Sequence, residues 1–441
     1  MGLKRFDFNL KDDKKKKSII GASIIVLVLL VGITIYATYA AYKDIKTYNI
    51  IQGKVKEFFN ADLSVAVKLI DTAGKETTTS DFPSHLEYAY LSDRSNCENG
   101  SEIIFDEGSW SATLSASEKD KCTLYFEKRS DNTLSEAILT NNTLIETTPN
   151  FAVATADGEY GLYSAQDDWG DSYYFRGDTE SNYVKFGKWS ENDASNNSGQ
   201  DMYWRIVRIN GDGSIRLVYD GTSLSANGTT HTTSIKQTVY NTKTNNAKYA
   251  GYTYDENGIQ VDSPIKVVVD EWYEANLKTN YESYIEDGIF CNDLSGETHD
   301  TGVNFEAMNR MYNNKPVLTC TNKEDRYTVS DTIKGNGLLN NPVGLLSIDE
   351  VMMAGGTSGS GTTYYLYSNE WYWTSSPFNF VDYGDGTVSF YFWTVTDGWI
   401  NDIYGSIDAS SDFYARPVIN LDANIKLYGT GTITDPYRLN K

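Results

Sequence analysis

The chain has 441 residues and a formal charge of −22, longer than one core usually organises and too acidic to favour phosphate backbones or anionic lipid. Nucleic-acid binding is thereby excluded. Residues 1–17 carry seven positive and three negative groups, or +4, which leaves −26 for the remainder; such a surface suits solubility, divalent cations, or neutral and cationic ligands.

In chain order, residues 1–17 read as a basic cytoplasmic tail. From Ser18 to Tyr42 there are 25 residues without a charge. At about 1.5 Å per residue a helix of that length covers about 37 Å, enough to cross a hydrocarbon core of about 30 Å. Lys14, Lys15, Lys16 and Lys17 precede it, which holds that side in the cytoplasm. The expectation is a transmembrane anchor over 18–42, a single-pass location in the cell membrane with the N-terminus cytoplasmic, and extracellular C-terminal domains. A cleaved secretory signal is the alternative, with Thr38-Tyr39-Ala40 as its site; the apolar run exceeds the usual signal length.

Residues 43–60 read as a juxtamembrane helix or stalk. At 61–129 alternation begins: Leu63, Val65 and Val67 point one way, Ser64, Ala66 and Lys68 the other. Further strand-like runs at 86–91, 102–105, 110–114 and 121–126 make a small β module. Its core is marginal at that size, which gives a disulfide there a structural purpose. Residues 130–150 form a linker, where Ser130 and Asp131 open a short amphipathic turn.

The domain at 151–441 holds eight of the nine tryptophans. Tyr203 to Tyr219 reads as a β-hairpin, its Asn210-Gly211-Asp212-Gly213 turn supplying positive-φ positions. Ser263 caps a helix with Pro264 in its first position, and Ser347 with Glu350 forms a capping box. Short aromatic strands close the chain, so the expected class is α+β with antiparallel, loop-rich sheets.

Cys97, Cys122, Cys291 and Cys320 are the only cysteines. An even number beyond an anchor reads as two disulfides, and Cys97–Cys122 with Cys291–Cys320 is favoured because each closes a short loop. His85, His231 and His299 show no zinc spacing.

Tyr372-Trp373-Thr374-Ser375-Ser376-Pro377, followed by Ala415-Arg416-Pro417-Val418-Ile419-Asn420-Leu421, resembles the closing strands of the C-type-lectin-like superfamily, in the branch with formylglycine-generating-type domains. The motifs around Tyr173–Gly177, 204–214 and 290–293 also resemble membrane-anchored surface proteins of Gram-positive bacteria. The resemblance implies a large C-type-lectin-like domain over 151–441. No cysteine follows Cys320, so the copper-dependent activity of formylglycine-generating enzymes is not carried over. Trp399-Ile400-Asn401-Asp402 is similar to the calcium-side Trp-Asn-Asp triplet of lectins, with one extra residue.

Asp382, Asp385, Asp397, Asn401, Asp402 and Trp399 are the expected ligand-binding residues. Their oxygens suit Ca²⁺, though Asp-Gly pairs also read as plain turns and no EF-hand spacing exists. No cofactor is otherwise expected. Trp373 and Trp393 read as core, and Arg416 as a buried clasp. Catalysis has no nucleophile elbow, and Gly355 to Gly361 lacks a phosphate-loop lysine. The expectation is therefore a non-enzymatic, membrane-anchored binding protein for a surface glycan or protein ligand. The alternatives are a carbohydrate-active enzyme with an unrecognised carboxylate pair, or a structural envelope component.

Overall fold

A computed structural model describes residues 46–50, 63–71, 74–84, 87–106, 110–116, 120–128, 132–156, 158–191, 197–225, 232–243, 245–357, 363–396, 399–400, 407–408 and 413–439. The chain divides into two units, Met1–Ser130 and Asp131–Asn440.

The first unit holds β1 (Lys46–Ile50), β2 (Leu63–Ile70), β3 (Glu76–Thr79), β4 (Tyr88–Tyr90), β5 (Asn96–Cys97), β6 (Glu102–Asp106), β7 (Ser111–Ala116) and β8 (Asp120–Lys128). Strand β8 organises it. Asp120, Cys122, Leu124 and Phe126 are buried while Lys121 is exposed, the period-two signature of a strand with one face on a core. β2 runs parallel to β8 from Leu63 opposite Asp120 to Ile70 opposite Glu127, and β4 and β5 pair with its other edge. A second sheet, β1-β7-β6, completes the unit. Within 43–60, expected as helix or stalk, the described residues form β1, paired with β7 from Lys46–Ala116 to Ile50–Ala112. Strand pairing there overrides the helical period. Phe82, Trp110, Leu114, Leu124 and Phe126 fill the core, and Trp110 Nε1 donates to the Pro83 carbonyl at 2.7 Å.

The second unit opens with a capped helix, Leu134–Asn141. It continues through β9 (Leu144–Ile145), β10 (Tyr160–Gln166), β11 (Asp171–Gly177), β12 (Tyr183–Lys188), β13 (Asp201–Ile209) and β14 (Ile215–Tyr219). Its largest sheet runs Ile285–Glu286, Val418–Leu421, β14, β13, β11, β10, β9, with β12 beside β13 and Tyr437–Arg438 beside β12. The β13–β14 hairpin is as read from the sequence, but every residue of β14, and of β13 from Trp204 onward, is buried. Both faces are therefore covered, and Arg205, Arg208 and Arg216 become interior charges. The other large sheet is built on the pair Tyr372–Asp382 and Val388–Thr396. Ser263 accepts from the Lys266 N–H at the start of the helix Pro264–Tyr273, and Ser347 with Glu350 makes the capping box of Ile348–Ala354.

Among the described residues no helix is long and apolar enough to cross a membrane. The longest continuous helical path, 264–284, carries Lys266, Asp270, Glu271, Glu274, Lys278 and Glu282, charges that a hydrocarbon core does not accept. The stretch from Ser18 to Tyr42 lies outside the described residues. The expected transmembrane anchor, the membrane partner and the single-pass cell-membrane location find no support in the described helices and are carried no further. They rested on the hydropathy of that stretch alone. What is found is an α+β chain of several sheets with two disulfides, Cys97–Cys122 and Cys291–Cys320.

Candidate functional site

Among the described residues, those singled out from the sequence as ligand-binding do not converge. Asp382 and Asp385 are exposed at the tip of the hairpin joining Tyr372–Asp382 to Val388–Thr396. Asp382 Oδ1 accepts from the Gly384 N–H and Asp385 Oδ1 from the Thr387 N–H, both at 2.9 Å. The side-chain and backbone hydrogen bonds of Thr387 hold the Asp385 carboxyl below its usual range. Both carboxylates thus serve a turn in which Gly384 and Gly386 take positive φ. The backbone of Trp399 pairs with Thr396 at the far end of Val388–Thr396. A nine-residue strand spans about 27 Å, so Asp385 and Trp399 sit at opposite ends of one strand. Asp397, Asn401 and Asp402 lie outside the described residues. Arg176 is buried and donates to the carbonyls of Met352 and Met353 at 2.9 and 3.0 Å, so of Arg176-Gly177-Asp178 only the aspartate faces solvent.

Two polar clusters are built by the fold instead. In the second unit, Arg208 Nη1 meets Asp167 Oδ2 at 2.7 Å and Arg208 Nε meets Glu350 Oε1 at 3.2 Å. Arg216 lies 2.5 Å from the same Glu350 oxygen. Arg310 forks onto Asp349, through Nε to Oδ1 and Nη2 to Oδ2, each at 2.8 Å, and also donates to Asp293. Burial pushes the Asp293 carboxyl up to about 6 against the pull of Arg310. Burial likewise raises Glu350, but Arg216 and Arg208 outweigh it, and the net direction is downward. These groups and the Cys291–Cys320 disulfide enclose a cavity of about 30 Å³, room for a water or two. Every carboxylate lining it already faces a guanidinium, and a sugar ring does not fit. The cluster is a polar core, not a glycoside-cleaving pair.

The first unit holds the chemically distinctive grouping. Cys97 and Cys122 are directly opposite across β5 and β8. Asp120 stands two residues before Cys122 on the same strand face, 1 % exposed. One ligand atom from each of Cys97, Asp120 and Cys122 lies within 4.8 Å of the others, the single such grouping among the described residues. Asp120 Oδ1 accepts from the N–H groups of Asn99 and Lys121 at 2.7 Å, and Oδ2 from Ser101 N–H at 2.8 Å. Burial raises its carboxyl, yet a hydrogen bond from the Ser101 hydroxyl, followed by these N–H groups, outweighs burial and holds it low. Asp120 is thus an anion at neutral pH. Cys97 lines an open groove of about 590 Å³ with Tyr90, Ser95, Ser101, Ile103 and Phe105, whose floor is the Tyr90–Phe105 ring stack at 4.0 Å.

This cluster overturns the expectation of a purely non-enzymatic binder of surface glycan or protein ligands. It favours the alternative of an enzyme, though through a cysteine–aspartate grouping and not a carboxylate pair. Sequence reasoning missed it because the search for zinc spacing looked for CxxC and HExxH. The available signal was Asp120-Lys121-Cys122, an i, i+2 pair on an alternating strand. No family model matches the chain, and no curated protein or solved structure is similar to it.

Proposed function

We infer that the first unit carries a redox-gated divalent-metal centre, formed by Cys97, Cys122 and Asp120 when their disulfide is reduced. The carrying observation is the convergence of three ligand atoms within 4.8 Å. A dithiol supplies two electrons and two protons to the Cys97–Cys122 bond, leaving two thiols and its own disulfide. A soft or borderline divalent cation such as Zn²⁺ then displaces the two thiol protons. Asp120, already ionised, adds the third ligand. Its carboxylate offers about four acceptor sites, filled by three backbone N–H groups and the Ser101 hydroxyl, so the metal takes the place of that hydroxyl. The nearby anion disfavours free thiolates, which argues against a thiol nucleophile and in favour of a cation that neutralises all three groups. Three protein ligands leave a fourth position, the composition of a catalytic metal site as opposed to a closed structural one. The groove beside Cys97 is the side from which water or substrate would reach it, and polarising a bound oxygen is the chemistry such a centre supplies.

The test is Co²⁺ titration of the full chain, oxidised and after dithiol reduction and desalting. The reduced protein should develop a thiolate-to-cobalt charge-transfer band, reversed by Zn²⁺, and the oxidised protein should not. Asp120→Asn should weaken binding roughly 10-fold or more. Absence of the band, or its persistence in a Cys97→Ser/Cys122→Ser variant, rejects the reading.

A further inference from the structure

Asn341 is 1 % exposed, and its carboxamide is met by three ionisable side chains of one helical stretch, of which Lys278 and Glu274 are 43 % and 54 % exposed. Lys278 Nζ donates to Asn341 Oδ1 at 3.1 Å, across 63 positions of sequence. Asn341 Nδ2 donates to Asp270 Oδ1 at 3.2 Å and to Glu274 Oε1 at 3.3 Å. Glu274 Oε1 also accepts from Lys278 Nζ at 3.2 Å, so a single carboxylate oxygen touches both the amine and the amide nitrogen. The spacing of Asp270, Glu274 and Lys278, four residues apart each time, aligns them on one helix face. The last step, Glu274–Lys278, is a π-helical turn, a widened geometry that often accompanies functional positions. Lys266 is committed elsewhere, its Nζ lying 2.5 Å from Asp270 Oδ2 and 3.3 Å from Asp262 Oδ2.

We propose that this site is a modification site, at which Lys278 and Asn341 join in an intramolecular isopeptide bond. The Lys278 ammonium passes a proton to Glu274, and its free amine, swung from Oδ1 to stand over Cγ, attacks the carboxamide carbon. The Nζ–Cγ bond forms and the Cγ–Nδ2 bond breaks. Nδ2 departs as ammonia, taking up protons through Glu274 and Asp270, the two carboxyl groups that already face it. An ammonium side chain and a carboxamide become a secondary amide and an ammonium ion, with no oxidant, reductant or cofactor. An amine and an amide are inert to one another in water; holding them in contact, with a proton carrier touching both nitrogens, supplies the effective concentration that the reaction needs. Burial raises the Asp270 carboxyl despite the hydrogen bond from Lys266, whereas the hydrogen bond from Lys278 holds Glu274 low, so Asp270 is the better holder of a proton for the leaving nitrogen and Glu274 only relays one. The product would tie the stretch after Pro264 to the segment that precedes the helix Ile348–Ala354.

The experiment is intact-mass and tryptic analysis of the purified full chain. The expected mass falls short of the disulfide-bonded sequence by one ammonia, and a branched peptide contains Lys278 joined to Asn341, with no cleavage after Lys278. Lys278→Arg keeps the charge without the nucleophile, and Glu274→Gln keeps the shape without the proton carrier; both should show full mass and separate peptides. Full mass with ordinary cleavage at Lys278 overturns the proposal. So does conversion of Asn341 to aspartate in place of a cross-link, or ammonia loss that survives Lys278→Arg. Failure at the cysteine cluster has no bearing on this outcome, because the two sites lie in different units and are read by different signals.

Discussion

Arg416 Nη2 donates to Asp220 Oδ1 at 2.8 Å, across 196 positions of sequence, and the arginine is 1 % exposed. The same guanidinium donates to the carbonyls of Tyr219 and Leu366 at 2.9 and 3.0 Å. The clasp holds the segment after Val388–Thr396 to the end of β14. Removing one partner of a buried pair leaves the other charge uncompensated, so Arg416→Met should cost about 3–5 kcal/mol in urea unfolding. Arg416→Lys should recover little, because one ammonium cannot reach all three acceptors. If Arg416→Met with Asp220→Asn costs as much as the sum of the single changes, the pair is not coupled.

Acidity should stabilise the second unit over a defined window. Asp293 has its carboxyl raised to about 6 from an ordinary 3.8, chiefly by burial. The folded state therefore binds the proton more tightly than the unfolded state, and this contribution is lost as pH rises from about 4 to 6. Between pH 7 and pH 5 the single group should add about 1 kcal/mol of stability. Glu350, held low by Arg216 and Arg208 once burial is overcome, acts in the opposite sense and only below its ordinary value of 4.5. Unfolding free energies at pH 5, 6 and 7 should fall with rising pH, and Asp293→Asn should flatten the slope. A wild-type slope unchanged by that substitution assigns the effect elsewhere.

Local signals in the sequence were the legible part of this fold. Alternation and Asn-Gly steps located the β13–β14 hairpin, and Ser263, Pro264, Ser347 and Glu350 marked two helix starts because caps act within one turn. The second role of Glu350 was not legible. Its capping bond to the Ser347 N–H at 3.0 Å is local, whereas its pairing with Arg208 and Arg216 depends on β13 and β14 being covered on both faces. The neighbour of β14 in the sheet is Val418–Leu421, two hundred residues away, and no periodicity encodes that. The separation of Asp385 from Trp399 was hidden for a related reason: they are 14 positions apart in sequence, but an intervening strand carries them to opposite ends.

Asp120 should contribute to stability as well as to the proposed metal centre. Its carboxylate gathers three N–H groups from Asn99, Ser101 and Lys121, pinning the segment after β5 to the start of β8. Asp120→Ala strands those donors and should cost about 3 kcal/mol. Loss of the disulfide in Cys97→Ser/Cys122→Ser, which closes a loop of separation 25, should cost a similar amount, about 3 kcal/mol in the chain-entropy model. Chemical denaturation of the two variants checks both figures. An Asp120→Ala protein as stable as wild type would mean that water satisfies those N–H groups.

Two tryptophans two residues apart should respond very differently to truncation. Trp373 is 1 % exposed and packs edge-on to Tyr240 at 5.7 Å and Phe392 at 6.1 Å. Its Nε1 donates to the Thr238 carbonyl at 2.8 Å. Trp371 is 47 % exposed and stacks on Phe413 at 5.5 Å. Trp373→Ala removes buried apolar surface, leaves a cavity and strands the Thr238 oxygen, which together should cost about 3–5 kcal/mol. Trp371→Ala removes a half-exposed ring whose stacking on Phe413 is worth about 1 kcal/mol. Both changes remove an indole of the same size from the same neighbourhood, so the difference isolates burial and the hydrogen bond. Trp373→Phe, which restores volume but not the donor, should fall between them. Equal losses for the two alanine variants, measured by urea titration, would place Trp371 in the core as well and contradict its exposure.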